Sequence, residues 1–168
     1  YQSAYEVFLE VERHEETRGQ FGFVMEVRFY YALILLKAPY GANKGERRRC
    51  MNLVASYQKM LKKGADHAPM NYLHKWQLVE AERERVLGRD RRAMAYYDQA
   101  IEGARLYGYN QDEALAHELA AGFYFSNEKR QIAISHIRQA QSCYETWGAF
   151  AKVQSLEQKY GHVLSPGT

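Results

Sequence analysis

Proline is scarce in this chain: Pro39, Pro69 and Pro166 are the three among 168 residues. Long stretches are therefore free of the residue that breaks a helix from within, by lacking an N–H and clashing with the preceding turn. Cysteine is equally sparse. Cys50 and Cys143 fall within helical patterns and match no metal or redox spacing. That excludes a disulfide scaffold and fits small apolar groups packed in a reducing cytoplasm. Charge of one sign is lacking too. Twenty-three Lys and Arg face twenty Asp and Glu for a formal +3, too mild to call for nucleic acid or an anionic membrane by itself. The longest apolar run, Phe29 to Leu36, is far too short to span a bilayer. No segment alternates with period two, so no sheet is expected, and no signal peptide opens the chain. It starts without methionine, inside what reads as a helix, and ends on Ser165-Pro166-Gly167-Thr168. The expectation is one helical domain over 1–164, cut from a larger protein, with 165–168 as a linker-like tail.

What the chain does have is an internal repeat at an offset of forty residues. Ala81 maps to Ala121, Ala93 to Ala133, Ala100 to Ala140 and Gly108 to Gly148. Between them Tyr97 falls opposite Ile137, Gln99 opposite Gln139, and Tyr107 opposite Trp147. Small residues recurring in register are what helix pairs need where backbones come close, and a fixed period of this size marks stacked helical hairpins. The glycines close the second helix of each unit at the same place.

Eight helical segments follow from periodicity and punctuation. The first, about 3–17, turns Val7, Phe8 and Val11 inward and ends at Gly19. The second, about 22–37, is apolar nearly all round and should sit in the middle of the core; Pro39-Tyr40-Gly41 stops it, and a loop through Asn43 and Gly45 follows. The third, about 46–63, buries Cys50, Val54, Tyr57 and Leu61, with Lys62 and Lys63 at its C-terminal end before Gly64. Pro69 opens the fourth, which stops at Gly88; the fifth spans about 91–107. The sixth starts with Asn110 as N-cap and Asp112 and Glu113 in its first turn, burying Leu115, Leu119, Gly122 and Phe123. The seventh, about 128–147, buries Ala133, Ile137, Ala140 and Tyr144. The eighth, about 149–160, caps the stack with Phe150, Val153 and Tyr160 inward. The expected fold is all-α: four antiparallel hairpins in a right-handed, gently curved array.

Ala93-x3-Tyr97-x2-Ala100 and Ala133-x3-Ile137-x2-Ala140 resemble tetratricopeptide repeats, without that family's Trp-Leu-Gly-Tyr pattern on the first helix. A closer resemblance lies in the wording of His67-Ala68-Pro69-Met70-Asn71-Tyr72-Leu73-His74-Lys75 and Leu78-Val79-Glu80-Ala81-Glu82. Tyr97-Asp98-Gln99-Ala100-Ile101, Glu113-Ala114-Leu115-Ala116-His117-Glu118-Leu119-Ala120-Ala121 and Cys143-Tyr144-Glu145-Thr146-Trp147-Gly148-Ala149 continue it. These segments look like the helical region of very large bacterial signalling proteins. In that family a serine/threonine-kinase-like domain and an AAA-type ATPase precede the helical region. A GAF sensor and a histidine kinase or other output domain often follow. The resemblance covers about 22–164, most strongly 66–160, and implies no catalysis inside it.

Sharper chemistry does not find its residues. Leu115-Ala116-His117-Glu118-Leu119 resembles the phospho-accepting box of histidine kinases, but Ala120-Ala121-Gly122 stands where that box continues with a Leu-Arg-Thr-Pro-like stretch. His14-Glu15-Glu16 lacks the second histidine of a zinc protease helix. His67 and His74 are separated by Pro69 and have no further ligand nominated, and nothing orients a Cys–His pair. No cofactor and no metal is therefore expected. Arginines cluster at 47–49 and at 83, 85, 89, 91 and 92, interleaved with Glu46, Glu80, Glu82 and Glu84. A nucleic-acid stripe would be less diluted by acid, so a salt-bridged face is expected. Arg47 to Arg49, near a helix N-terminus, call for a compensating contact.

The leading functional expectation is a non-enzymatic module. It would contact neighbouring kinase, ATPase or sensor domains, or a signalling partner, in a multidomain kinase. A nucleic-acid-associated regulator, a passive spacer and a small helical enzyme are the alternatives. If the first helix of each hairpin lines a concave side, Asn71, His74, Lys75, Gln77 and His117 are the polar residues set to meet a partner. Charge reversal at Lys75 with His117→Glu should then leave folding intact.

Overall fold

Turns recur every twenty residues along most of this protein. The computed structural model describes residues 21–37 and 44–164, which form seven helices: α1 Phe21–Lys37, α2 Lys44–His67, α3 Pro69–Val86, α4 Asp90–Leu106, α5 Asn110–Ser126, α6 Arg130–Trp147 and α7 Phe150–Leu164. The expected helix at 3–17 and the stop at Pro39-Tyr40-Gly41 lie outside the described residues. No strand is present among those described.

Residues 88, 108, 128 and 148 all take left-handed backbone, with φ of 69°, 74°, 59° and 81°. At each turn the same two bonds close the preceding helix. Gly88 N–H donates to the carbonyl of Arg85 and Arg89 N–H to Glu84; Gly148 N–H donates to Glu145 and Ala149 N–H to Tyr144. This pair of bonds satisfies the last carbonyls of a helix and requires a left-handed residue. Three of the four positions are glycine. Glu128 is the exception: the sequence reads as a helix boundary there, but no glycine marks the left-handed residue.

Consecutive helices pack antiparallel, most extensively α3 with α4 and α5 with α6. The repeat alanines explain why. Ala81, Ala93, Ala121, Ala133 and Ala140 are wholly buried and Ala100 nearly so. Next-but-one contacts join α1 to α3 and α3 to α5, whereas none as extensive joins α2 to α4 or α4 to α6 among the described residues. Helices α1, α3 and α5 are thus the tighter, inner row of the stack, and α7 reaches it through the Lys152–Glu118 pair. The core falls into two clusters. The larger is built on α1 to α5 with Phe29, Leu61, Tyr97 and Phe123. The smaller joins α5, α6 and α7 through Ile137, Tyr144 and Leu156, and Phe125 packs against both.

Several local expectations are corrected. Gly64 does not end α2, which runs on to His67. A Cβ there would lie 2.7 Å from Met25 Cε and 3.1 Å from the Tyr72 ring, so this glycine serves close packing rather than a turn. Lys62 is accordingly mid-helix and pairs with Asp66 at 2.8 Å. Gly45 lies inside α2 instead of a loop. Asn110 is the first residue of α5 and not its cap; Tyr109 occupies the cap position without a side-chain bond. Phe150 is 65% exposed instead of inward, and α1 leaves Phe23, Tyr30 and Ile34 exposed. Cys50, Leu115, Gly122 and Tyr160 are half-buried.

Two substitutions probe this frame. Ala100→Leu, at a crossing with no spare room, should cost about 1–3 kcal/mol in urea unfolding. Glu128→Gly should stabilise by about 1 kcal/mol, because it removes a side chain from left-handed backbone at an exposed site. An unchanged or lowered midpoint in the second variant would show that the turn is not strained.

Candidate functional site

The inner row is polar where it should be greasy. Helix α3 buries His74, Lys75, Glu80, Glu82 and Glu84, and each is paired. Lys75 Nζ lies 2.5 Å from Asp112 Oδ2 of α5 and 2.9 Å from Glu26 Oε1 of α1. His74 Nε2 lies 2.8 Å from the same Asp112 oxygen, and its ring stacks on Tyr109. The Lys75 ammonium also sits over the Phe29 ring at 5.1 Å. One cluster thereby ties α1, α3 and α5 together. Burial alone would pull the Lys75 pKa down, but the Asp112 charge and the bonds to Asp112 and Glu26 raise it above the ordinary value. Burial likewise pushes Asp112 up, while the bond to His74 and the charge of Lys75 hold it below the usual carboxylate range. Both groups stay charged.

The other buried acids are arranged similarly. Glu80 accepts from Gln58 of α2 at 2.8 Å and pairs with Arg83. Glu82 accepts from the Tyr97 hydroxyl of α4 and from Arg85; burial and then the Glu82 charge push Tyr97 well above its ordinary value. Glu84 lies within 3.4 Å of Arg89 and Arg92. The arginine cluster is thus a salt-bridged face turned onto buried glutamates. The contact expected of Arg47 exists: its guanidinium lies 3.5 Å from the Val86 carbonyl at the C-terminus of α3. Arg85 donates to the Leu36 carbonyl near the end of α1 at 3.2 Å.

At the next step of the stack the polarity reverses. Asp112 of α5 meets Lys75 of α3; forty residues on, Lys152 of α7 meets Glu118 of α5 at 2.8 Å. Glu118 also accepts from Tyr144 at 2.9 Å. Between α5 and α6, His117 Nδ1 and His136 Nδ1 are 2.9 Å apart, so one ring donates and the other accepts. Burial, then the neighbouring His136 and Arg105, lower the His117 pKa to about 3. Burial and the adjacent Glu113 raise the Cys143 thiol to about 11, which leaves it unreactive.

The five residues expected to face a partner are divided by the structure. His74 and Lys75 are 2% exposed and His117 5%, so they are interior links rather than groove residues. Sequence periodicity placed them on the inner row, but could not see that Glu26 of α1 and Asp112 of α5 close over Lys75 and His74, or that His136 of α6 and Arg105 of α4 close over His117. Asn71 is exposed and accepts from the Tyr109 hydroxyl at 2.7 Å; Gln77 is half-buried and bonds Gln99 at 3.2 Å.

Open space on the inner row lies elsewhere. A groove of about 550 Å³ is lined by α1, α3, α5 and α7, with Arg47 of α2 at its side. Leu36, Leu119 and Phe123 line it with apolar surface, and Lys37 and Lys159 stand on it. Sequence reasoning missed this site, because its walls come from helices as far apart in the chain as those of Leu36 and Tyr160. Gly122 was its one legible signal. Among the described residues, no group of three His, Cys, Asp or Glu side chains is placed to hold a metal. No helix among them is long and apolar enough to cross a membrane.

The buried pairs predict where the protein is fragile. Lys75→Glu places two buried carboxylates together and should cost at least the roughly 3–5 kcal/mol of breaking a buried pair, opposite to the intact folding expected from sequence. His117 adds a pH dependence. Its folded pKa lies below its ordinary 6.5, so the unfolded chain binds the proton first. Its contribution is complete above pH 6.5 and declines as pH falls toward about 3. Urea midpoints measured across that window should fall with pH, and His117→Gln should flatten the slope.

Comparison with known proteins adds a context. No protein-family model matches the chain, and no solved structure matches it. A stretch of 62 residues, 37% of this chain, is 34% identical to hybrid signal transduction histidine kinase G of Dictyostelium discoideum. That stretch spans 2% of the length of the Dictyostelium protein. The similarity supports a helical segment associated with signalling proteins.

Proposed function

We propose that this chain is a non-catalytic helical-repeat module of a multidomain signal-transduction kinase, forming one cytoplasmic domain that contacts neighbouring domains or a signalling protein through its inner row. The observation that carries this reading is the groove shared by α1, α3, α5 and α7, an open surface on an otherwise ion-paired row. Stacked hairpins offer such continuous surfaces to other chains. Similarity to a hybrid histidine kinase supplies the signalling context. The nucleic-acid reading is less favoured, because Arg83, Arg85, Arg89 and Arg92 are engaged with buried glutamates and offer few free cations to phosphate.

A passive spacer is the competing reading, and hydrogen exchange separates the two. Deuterium uptake should be compared between this chain alone and the parent protein. Slower exchange of α5 and α7 peptides in the parent is expected for a contact module. Identical uptake throughout would assign the spacer role.

A further inference from the structure

Resting on that reading of the inner row, we infer that the groove beside Gly122 binds an extended protein segment in which an apolar side chain is flanked by carboxylates. Gly161, in the last turn of α7, leaves space around a built Cβ but lies outside the groove. Three glycines, Gly64, Gly103 and Gly122, sit deeper in their helices, where each costs about 1 kcal/mol relative to alanine. Two are explained by packing. Gly64 faces Met25 and Tyr72, and a Cβ on Gly103 would lie 3.1 Å from His74 Cβ. Gly122 has no such reason: a Cβ built there meets nothing within 4 Å, and the residue forms part of the groove wall.

The repeat register shows what this glycine replaces. Forty residues earlier stand Glu82, Arg85 and Tyr97, which bond one another across α3 and α4. Their counterparts are Gly122, Phe125 and Ile137. The whole polar trio is gone in the second hairpin, and the volume of its carboxylate side chain is left open to the groove. Leu119 and Phe123, both largely buried, flank Gly122 in the groove wall, so an incoming backbone can approach α5 closely and set an apolar side chain in the space beside Gly122.

Charge sets the flanking residues. Of the four cations lining the groove, Arg85 and Arg47 are spent on the C-terminal carbonyls of α1 and α3. Both carboxylates there are engaged, Glu82 by Arg85 and Glu118 by Lys152. Lys37 and Lys159 remain, with no ion pair among the described residues; the Lys37 charge acts on Glu118 from a distance, and Lys159 lies over the Tyr160 ring at 4.8 Å. Two ammonium groups without an ion pair among the described residues, beside Leu119 and Phe123, favour carboxylates at the ends of an apolar contact.

The test uses a fluorescein-labelled ten-residue peptide of alternating glutamate and leucine, with alternating lysine and leucine as control, read by fluorescence anisotropy. The acidic peptide should bind this protein and the basic one should not. Gly122→Leu should weaken binding by about tenfold or more while leaving the unfolding midpoint equal or higher, since leucine has room and is the better helix former. Lys37→Glu with Lys159→Glu should weaken it similarly by an independent route. Equal binding of both peptides, tighter binding of an oligothymidylate, or acidic-peptide binding that survives both variants would overturn the inference. Protection of α5 and α7 in the parent together with any of those results would leave the contact module standing and refute only this chemistry.

Discussion

Close approach of helix backbones is the constraint on which the rest of the structure depends. Alanines at 81, 93, 100, 121, 133 and 140 are buried to completion or nearly so, and they let α3 settle on α4 and α5 on α6. Polar groups buried between helices this close need protein partners. His74, Lys75, Glu80 and Glu82 each find one, while His74 Nδ1 and Asp112 Oδ1 are left without a hydrogen bond. The ion pairs follow from that demand. Lys75, caught between Asp112 and Glu26, is the point where three helices share one cation. A buried pair of this kind adds little net stability over apolar packing, but it penalises any misregistered arrangement that would strand a charge.

Turn chemistry works with the alanines. A left-handed residue every twenty positions ends each helix after nearly the same length, so successive crossings fall at the same height in the stack. Volume is then traded within the register. Gly103 leaves space that His74 fills; at the matching places Cys143 and Ala114 lie in one cluster, with the larger residue moved to the other helix. Glu82 with Tyr97 gives way to Gly122 with Ile137. The second hairpin keeps the backbone of the first and changes what lines the inner row, from a closed salt-bridged surface to an open one.

Function follows from where the polar groups are left over. Most charged side chains of α3 are consumed internally, and Arg83, Arg85, Arg89 and Arg92 are engaged with buried glutamates. The surface available to a partner lies at the C-terminal ends of the inner helices. There the guanidinium groups of Arg47 and Arg85 satisfy carbonyls of neighbouring helices, and Lys37 and Lys159 make no ion pair among the described residues.

The sequence by itself determined the all-helical class, the hairpin repeat and the crossing alanines, because spacing and small size are local properties that survive in a linear string. It determined three of the four left-handed turns for the same reason, through glycine; the turn at Glu128 was hidden, since its strain is imposed by the helices on either side. Only tertiary structure decided the fate of the polar residues. Whether His74, Lys75 and His117 face a partner or an internal carboxylate depends on which helix lies opposite, and Asp112 and Glu26 come from positions dozens of residues away. The groove is decided in the same way. Gly64 reads as a helix end and Gly122 as a buried helix residue, yet the first is packed tightly against Met25 and Tyr72 and the second opens onto empty space, a difference that exists only once neighbouring helices are in place.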